Sequence, residues 1–192
     1  MTTLDFRAAT RATADVVAGI RDDQLGGPTP CPAYTVADLL DHVHGLSSAF
    51  TASARKGRIE GAAPSADGSR LPDDWRDAVP AALAGLAEAW HDTPDAYEGT
   101  TQAGPIDLPA AVAAQVALNE VVVHGWDLAV ATGQRYAVDP AAVYACRTFV
   151  ESFDAPAGDD AGLFGPPVDV PETAPELDRL VGAAGRRPGW SP

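Results

Sequence analysis

Long apolar runs are missing from this sequence. No window approaches the roughly 18 to 20 uninterrupted hydrophobic residues that a membrane span requires. Cysteine is scarce: Cys31 and Cys146 are the two in 192 residues, they stand far apart, and no C-x-x-C occurs. A disulfide framework is therefore excluded, and a reducing compartment fits. Residues Met1 to Asp5 lack the basic stretch and apolar run of a signal peptide, so a cytoplasmic location is expected. Basic residues are outnumbered, 13 against 27 acidic ones, for a net charge of -14. Such a surface repels phosphate backbones and anionic lipid, which argues against nucleic acid and membrane partners and reads as solubility. Alternation of period two, internal repeats and long low-complexity tracts are also absent.

What is present is helical periodicity on a 46% hydrophobic background, in a chain long enough for one sizeable core. Leu4, Ala8, Ala12, Val16, Val17 and Ile20 place a helix over about 4–22. Gly26 to Pro32 breaks the chain as a rigid loop. A second helix starts near Thr35, where Thr35 and Asp38 form a capping-box pattern, and carries Val36, Leu39, Leu40, Val43, Leu46 and Phe50. Residues 57–72 read as a surface loop. A third helix spans Asp74 to about His91, with Pro80 a kink position. Residues 93–108 form another loop. A fourth helix, Pro109 to Thr132, stops at Gly133. Asp139-Pro140 opens a fifth, to about Phe153, and Thr173-Ala174-Pro175-Glu176 caps a short last helix ending near Gly185. The expectation is an all-α, four-helix bundle with additional C-terminal helices. It forms a single domain over 1–192, with the core bundle in about 4–132 and an appendage in about 133–192.

The fourth helix is apolar nearly all round, which implies burial. Glu120 and His124, one turn apart, share a face within it. A lone buried carboxylate is costly and must be paired, protonated or bound to a cation. Two readings follow: a hydrogen-bonded Glu–His pair, or two ligands of one metal ion. The second helix offers Asp41-His42-Val43-His44. Both histidines flank its apolar stripe about equally. His42 shares its side with Leu39, Gly45, Leu46 and Ala49, where a neighbour can approach closely, whereas His44 sits beside Asp41, Ser47 and Ser48. That comparison favours His42. His91, beside Trp90 and Asp92 at a helix end, reads as exposed. Cys31, between two prolines ahead of a helix, weighs more as a packing residue than as a reactive thiol activated by the helix end. Asp127 fits either an orienter of a histidine ligand or a helix-end hydrogen-bond partner, and Trp126 a packing role.

Two segments carry a resemblance. Residues Thr29-Pro30-Cys31-Pro32-Ala33-Tyr34-Thr35-Val36-Ala37-Asp38-Leu39-Leu40-Asp41-His42 resemble the pattern T-P-C-x-x-W-T-V-x-D-L-x-x-H. Residues Glu120-Val121-Val122-Val123-His124-Gly125-Trp126-Asp127-Leu128-Ala129 resemble E-x-x-x-H-x-W-D-L-A. Both patterns belong to the metal-binding domain of mycothiol-dependent maleylpyruvate isomerase, in the DinB-like four-helix-bundle superfamily. Phe164 to Val168, Leu177 to Leu180 and Pro188-Gly189-Trp190 are similar to an uncharacterised actinobacterial subgroup. Tyr34 departs from the pattern, where many members have Trp, and His44 is additional to it. The resemblance implies a divalent metal ion, zinc first with Ni2+ or Fe2+ also suited, on His42, Glu120 and His124. It does not extend to the separate C-terminal domain of the isomerase, so maleylpyruvate isomerisation is not carried over.

Three protein ligands leave a position open, as in catalytic zinc sites. The resemblance implies thiol-dependent chemistry there, with mycothiol as cosubstrate attacking an electrophile. The leading expectation is thus a metal-dependent thiol transferase or isomerase. The alternatives are a non-catalytic structural or sensory metal-binding protein, and a metal-dependent hydrolase using bound water. Catalytic residues beyond the ligands are not identified, and a homodimer is an assembly the resemblance allows.

Overall fold

The computed structural model describes residues 4–57, 66–152 and 164–192. Four helices form the body: α1 (Phe6–Ala18), α2 (Val36–Ala54), α3 (Trp75–Asp92) and α4 (Ala110–Ala131). α1 and α2 each pack on both α3 and α4, so the four close a ring in the order α1, α3, α2, α4. The shared interior is filled by Val17, Leu39, Leu40, Leu83, Leu86, Trp90, Leu118 and Leu128, all essentially shut from water. The chain is an all-α bundle, as its periodicity indicates, and among the described residues no helix is long and apolar enough to cross a membrane.

Local chemistry sets the helix ends. Asp5 caps α1 by accepting the Arg7 N–H at 2.9 Å. At α2 the expected capping box forms: the Asp38 N–H donates to Thr35 Oγ1 at 3.2 Å, and the Thr35 N–H to Asp38 Oδ2 at 2.8 Å. The Asp38 carboxylate also accepts the Gly68 N–H at 2.7 Å; the Thr35 hydroxyl and these amides hold its pKa below the usual range. Pro80 lies inside α3. α4 runs to Ala131, and Gly133 beyond it takes a left-handed φ of 70° that favours glycine.

The span expected as plain loop at 93–108 contains a small hairpin, β1 (Thr100–Ala103) paired antiparallel with β2 (Ile106–Pro109). Gly104, with φ 58°, makes the turn before Pro105. At four residues each, the strands are too short to alternate visibly. Side-chain bonds hold the hairpin instead: Thr101 Oγ1 donates to the Ser53 carbonyl at 2.6 Å, and the Ser53 hydroxyl to the Gln102 carbonyl.

After α4 the chain forms α5 (Pro140–Glu151), capped by Asp139 through the Ala141 N–H at 2.7 Å, and α6 (Glu176–Ala183). The expected end of α5 at Phe153, the 58–65 part of the first surface loop and residues 154–163 lie outside the described residues. The cap expected from Thr173 and Glu176 does not form. The N-cap position of α6 is Pro175, and no side chain bonds the helix start there. Anchorage comes from elsewhere: Arg147 of α5 donates to Glu176 at 2.7 Å, and Leu180 and Val181 are fully buried. α5 packs on α4 and α6 on α5, which lays the C-terminal segment back against the bundle.

Candidate metal centre

The α2–α4 seam brings the three expected residues together. One ligand atom from each of His42, Glu120 and His124 lies within 4.8 Å of the other two. His124 Nε2 stands 3.0 Å and His42 Nε2 3.6 Å from the same oxygen, Glu120 Oε2. The two imidazoles meet edge to face, with ring centres 5.0 Å apart. Glu120 Oε2 is shut from water and makes no well-aligned hydrogen bond, although both nitrogens are near. A buried anionic oxygen facing two imidazole nitrogens without an aligned donor has the chemistry of a cation site. His44 joins no such cluster among the described residues, and His91 is exposed and pairs with its neighbour Asp92.

Electrostatics reinforce the convergence. Burial alone would push the Glu120 carboxyl up, but His124 and His42 overcome it and hold the group far below the usual carboxylate range. Burial would likewise depress the His124 imidazolium. The hydrogen bond to Asp127 and the adjacent Glu120 carboxylate prevail and raise it to about 9. Asp127, wholly buried, accepts the His124 Nδ1–H at 2.9 Å. Of the two roles open to Asp127 in the sequence, it takes that of orienter, and the bond directs the other ring nitrogen at Glu120.

Around the ligands the local fold is tight. Thr29 is buried, accepting the Cys31 N–H at 3.1 Å and donating to the Tyr34 carbonyl at 2.9 Å. These bonds fix the proline-rich loop, and with it the Tyr34 ring 5.6 Å from His42. Gly125, beside His124, leaves room for α1: a methyl there would overlap Thr13 Oγ1 and the Tyr136 hydroxyl. Trp126 is buried, in keeping with a packing role. A narrow crevice lined by Val43, Leu46, Ser47, Phe50 and Ala117 runs up to Glu120 between α2, α3 and α4.

Sequence reasoning missed one group here. Arg186, from the segment after α6, reaches Asp127 Oδ2 at 3.1 Å and Cys31 Sγ at 3.5 Å. Cys31, His124 and Asp127 accordingly form a second cluster of ligand-type atoms within 4.8 Å of one another. No spacing rule ties residues so far apart in the chain; the adjoining Gly185 and the Arg186-Arg187 pair mark only a helix end. A lowering of the Cys31 thiol by a helix end, the reading the sequence weighed less than packing, is not found. Burial pushes it up, with Arg186 acting against that rise.

Residues 6–129 match the family model described as the mycothiol maleylpyruvate isomerase N-terminal domain, and the chain belongs to that family. Two uncharacterised proteins, from two strains of Mycobacterium tuberculosis, are each 31% identical over 176 residues, covering 91% of this chain and 92% of their own. No solved structure matches.

Proposed function

We propose that the protein binds one divalent cation, zinc in the first instance, through His42, Glu120 and His124, and acts as a thiol-dependent transferase or isomerase. The observation that carries this is the convergence of two imidazole nitrogens, His42 Nε2 and His124 Nε2, on the buried Glu120 Oε2. Two imidazole nitrogens and one carboxylate suit a borderline-soft ion, with Ni2+ and Fe2+ as competitors. When bound, the cation supplies the Lewis acidity that keeps a low-molecular-weight thiol such as mycothiol as its thiolate. The chain's own residues do the rest. Glu120 brings one negative charge, and with two neutral imidazoles this leaves a divalent site one positive charge for an incoming thiolate. Asp127 holds the proton on His124 Nδ1 and so leaves Nε2 free to coordinate. The His42 and Glu120 side chains are 21% and 18% exposed, which gives a solvent approach that a closed structural site lacks.

The experiment uses untagged full-length protein purified without added metal. Elemental analysis is expected to find about one divalent ion per chain, lost in His124→Ala. Calorimetry on the zinc-loaded protein is expected to show mycothiol binding, and a panel of electrophiles to show turnover only when thiol is present. Zinc-loaded protein that neither binds a thiol nor turns over any electrophile with one would remove the thiol-dependent reading. Loss of the ion on exchange into mild buffer would remove the metal.

A further inference from the structure

The residues after α6 lie beyond the family-matched stretch of 6–129, yet one of them reaches the centre. The Arg186 side chain is 11% exposed. Its fork spans both oxygens of Asp127, Nη2 to Oδ2 at 3.1 Å and Nε to Oδ1 at 3.4 Å. Nη1 donates to the Ala184 carbonyl at 2.7 Å, and Nη2 also faces Cys31 Sγ at 3.5 Å. The guanidinium is therefore committed to protein groups. The same Asp127 Oδ2 also accepts the His124 Nδ1–H at 2.9 Å.

Resting on the cation-site reading above, we propose that Arg186 is a positioning residue for that site, fixing the Asp127 carboxylate and through it the ring orientation and tautomer of His124. Two physical reasons support this. Asp127 has no exposure, so without the guanidinium its charge stands uncompensated. The carboxylate would then turn toward other donors, which loosens its grip on Nδ1. In addition, Arg186 cancels the Asp127 charge, so the negative charge facing the cation is that of Glu120 alone. Through Cys31 the same guanidinium touches the loop that carries Tyr34, whose ring lies against His42. The C-terminal segment thus contacts the surroundings of both histidines.

The test measures Zn2+ affinity of the untagged full chain by competition with a chromophoric chelator, for wild type, Arg186→Met, Arg186→Lys, Asp127→Asn and the double variant Asp127→Asn/Arg186→Met. Melting midpoints are recorded for each. Arg186→Met is expected to weaken zinc by about 10- to 100-fold, the usual effect of removing an outer partner of a metal ligand. Arg186→Lys keeps the charge but loses the fork, for a loss of about 3- to 10-fold. Adding Arg186→Met to Asp127→Asn is expected to cost nothing more, because the arginine acts through that carboxylate. A purely structural arginine would lower the midpoint and leave the affinity of the folded protein at the wild-type value. Unchanged affinity in Arg186→Met, or losses that add in the double variant, overturns the proposal. Should Arg186→Met not fold, unchanged affinity in Arg186→Lys does so. Wild type that takes up no zinc overturns the cation site itself, a result distinct from wild type and Arg186 variants binding alike.

Discussion

In the cation-free protein the Asp127 and Glu120 carboxylates flank the His124 ring and favour its protonated form. The folded pKa of His124 is raised to about 9, against an ordinary value of 6.5. A raised folded pKa means that the protonated ring stabilises the fold. That contribution is complete below about pH 6.5 and is lost as pH rises through about 9. The melting midpoint of cation-free protein should therefore fall across that window, and a flat profile there would contradict the assignment. On the proposed cation site, zinc would take the place of that proton, so uptake at pH 7 should release protons to the buffer, read as a buffer-dependent binding enthalpy. Glu120→Gln keeps the shape and removes the charge. It is expected to weaken zinc by at least about 10-fold, while a shape-driven site would lose little.

At the scale of elements, α4 is both wall and platform: almost every residue from Ala113 to Ala131 is buried. Gly125 shows the consequence. Alanine there adds helix propensity of about 1 kcal/mol, but its methyl overlaps Thr13 and Tyr136. Overpacking of about 1–3 kcal/mol should prevail, and Gly125→Ala is expected to lower the melting midpoint by several degrees. A rise would show that α1 shifts freely. Most helices and their stops were legible in the sequence from a 3.6-residue stripe or a chemical cue, such as Thr35 with Asp38 or Gly133, but the Thr173 cue marked no cap on α6. His42 was legible from the small residues beside it together with the motif that ends on it. The hairpin was not, because Thr100–Ala103 and Ile106–Pro109 are only four residues each and are tied down by Ser53, far off in the sequence. Arg186 was not, because its partners come together only after the chain has folded back over the bundle.

Taken as a whole, the molecule joins its C-terminal segment to the bundle through α5 and through Arg186. Leu180 is fully buried in α6, and Leu180→Ala should cost about 2–5 kcal/mol by cavity formation. A single-domain chain predicts that this loss shifts one unfolding transition, seen alike by circular dichroism and calorimetry. Two separated transitions, with only one of them moved, would divide the chain into bundle and appendage.

Exposure falls in one direction across the centre, from 21% at the His42 side chain to 8% at His124 and none at Asp127. An ion held there has a loose edge and an anchored one. A chelator arriving from water meets His42 first, so His42→Ala should mainly hasten zinc escape. Losing His124 takes away the fixed post to which the ion would return.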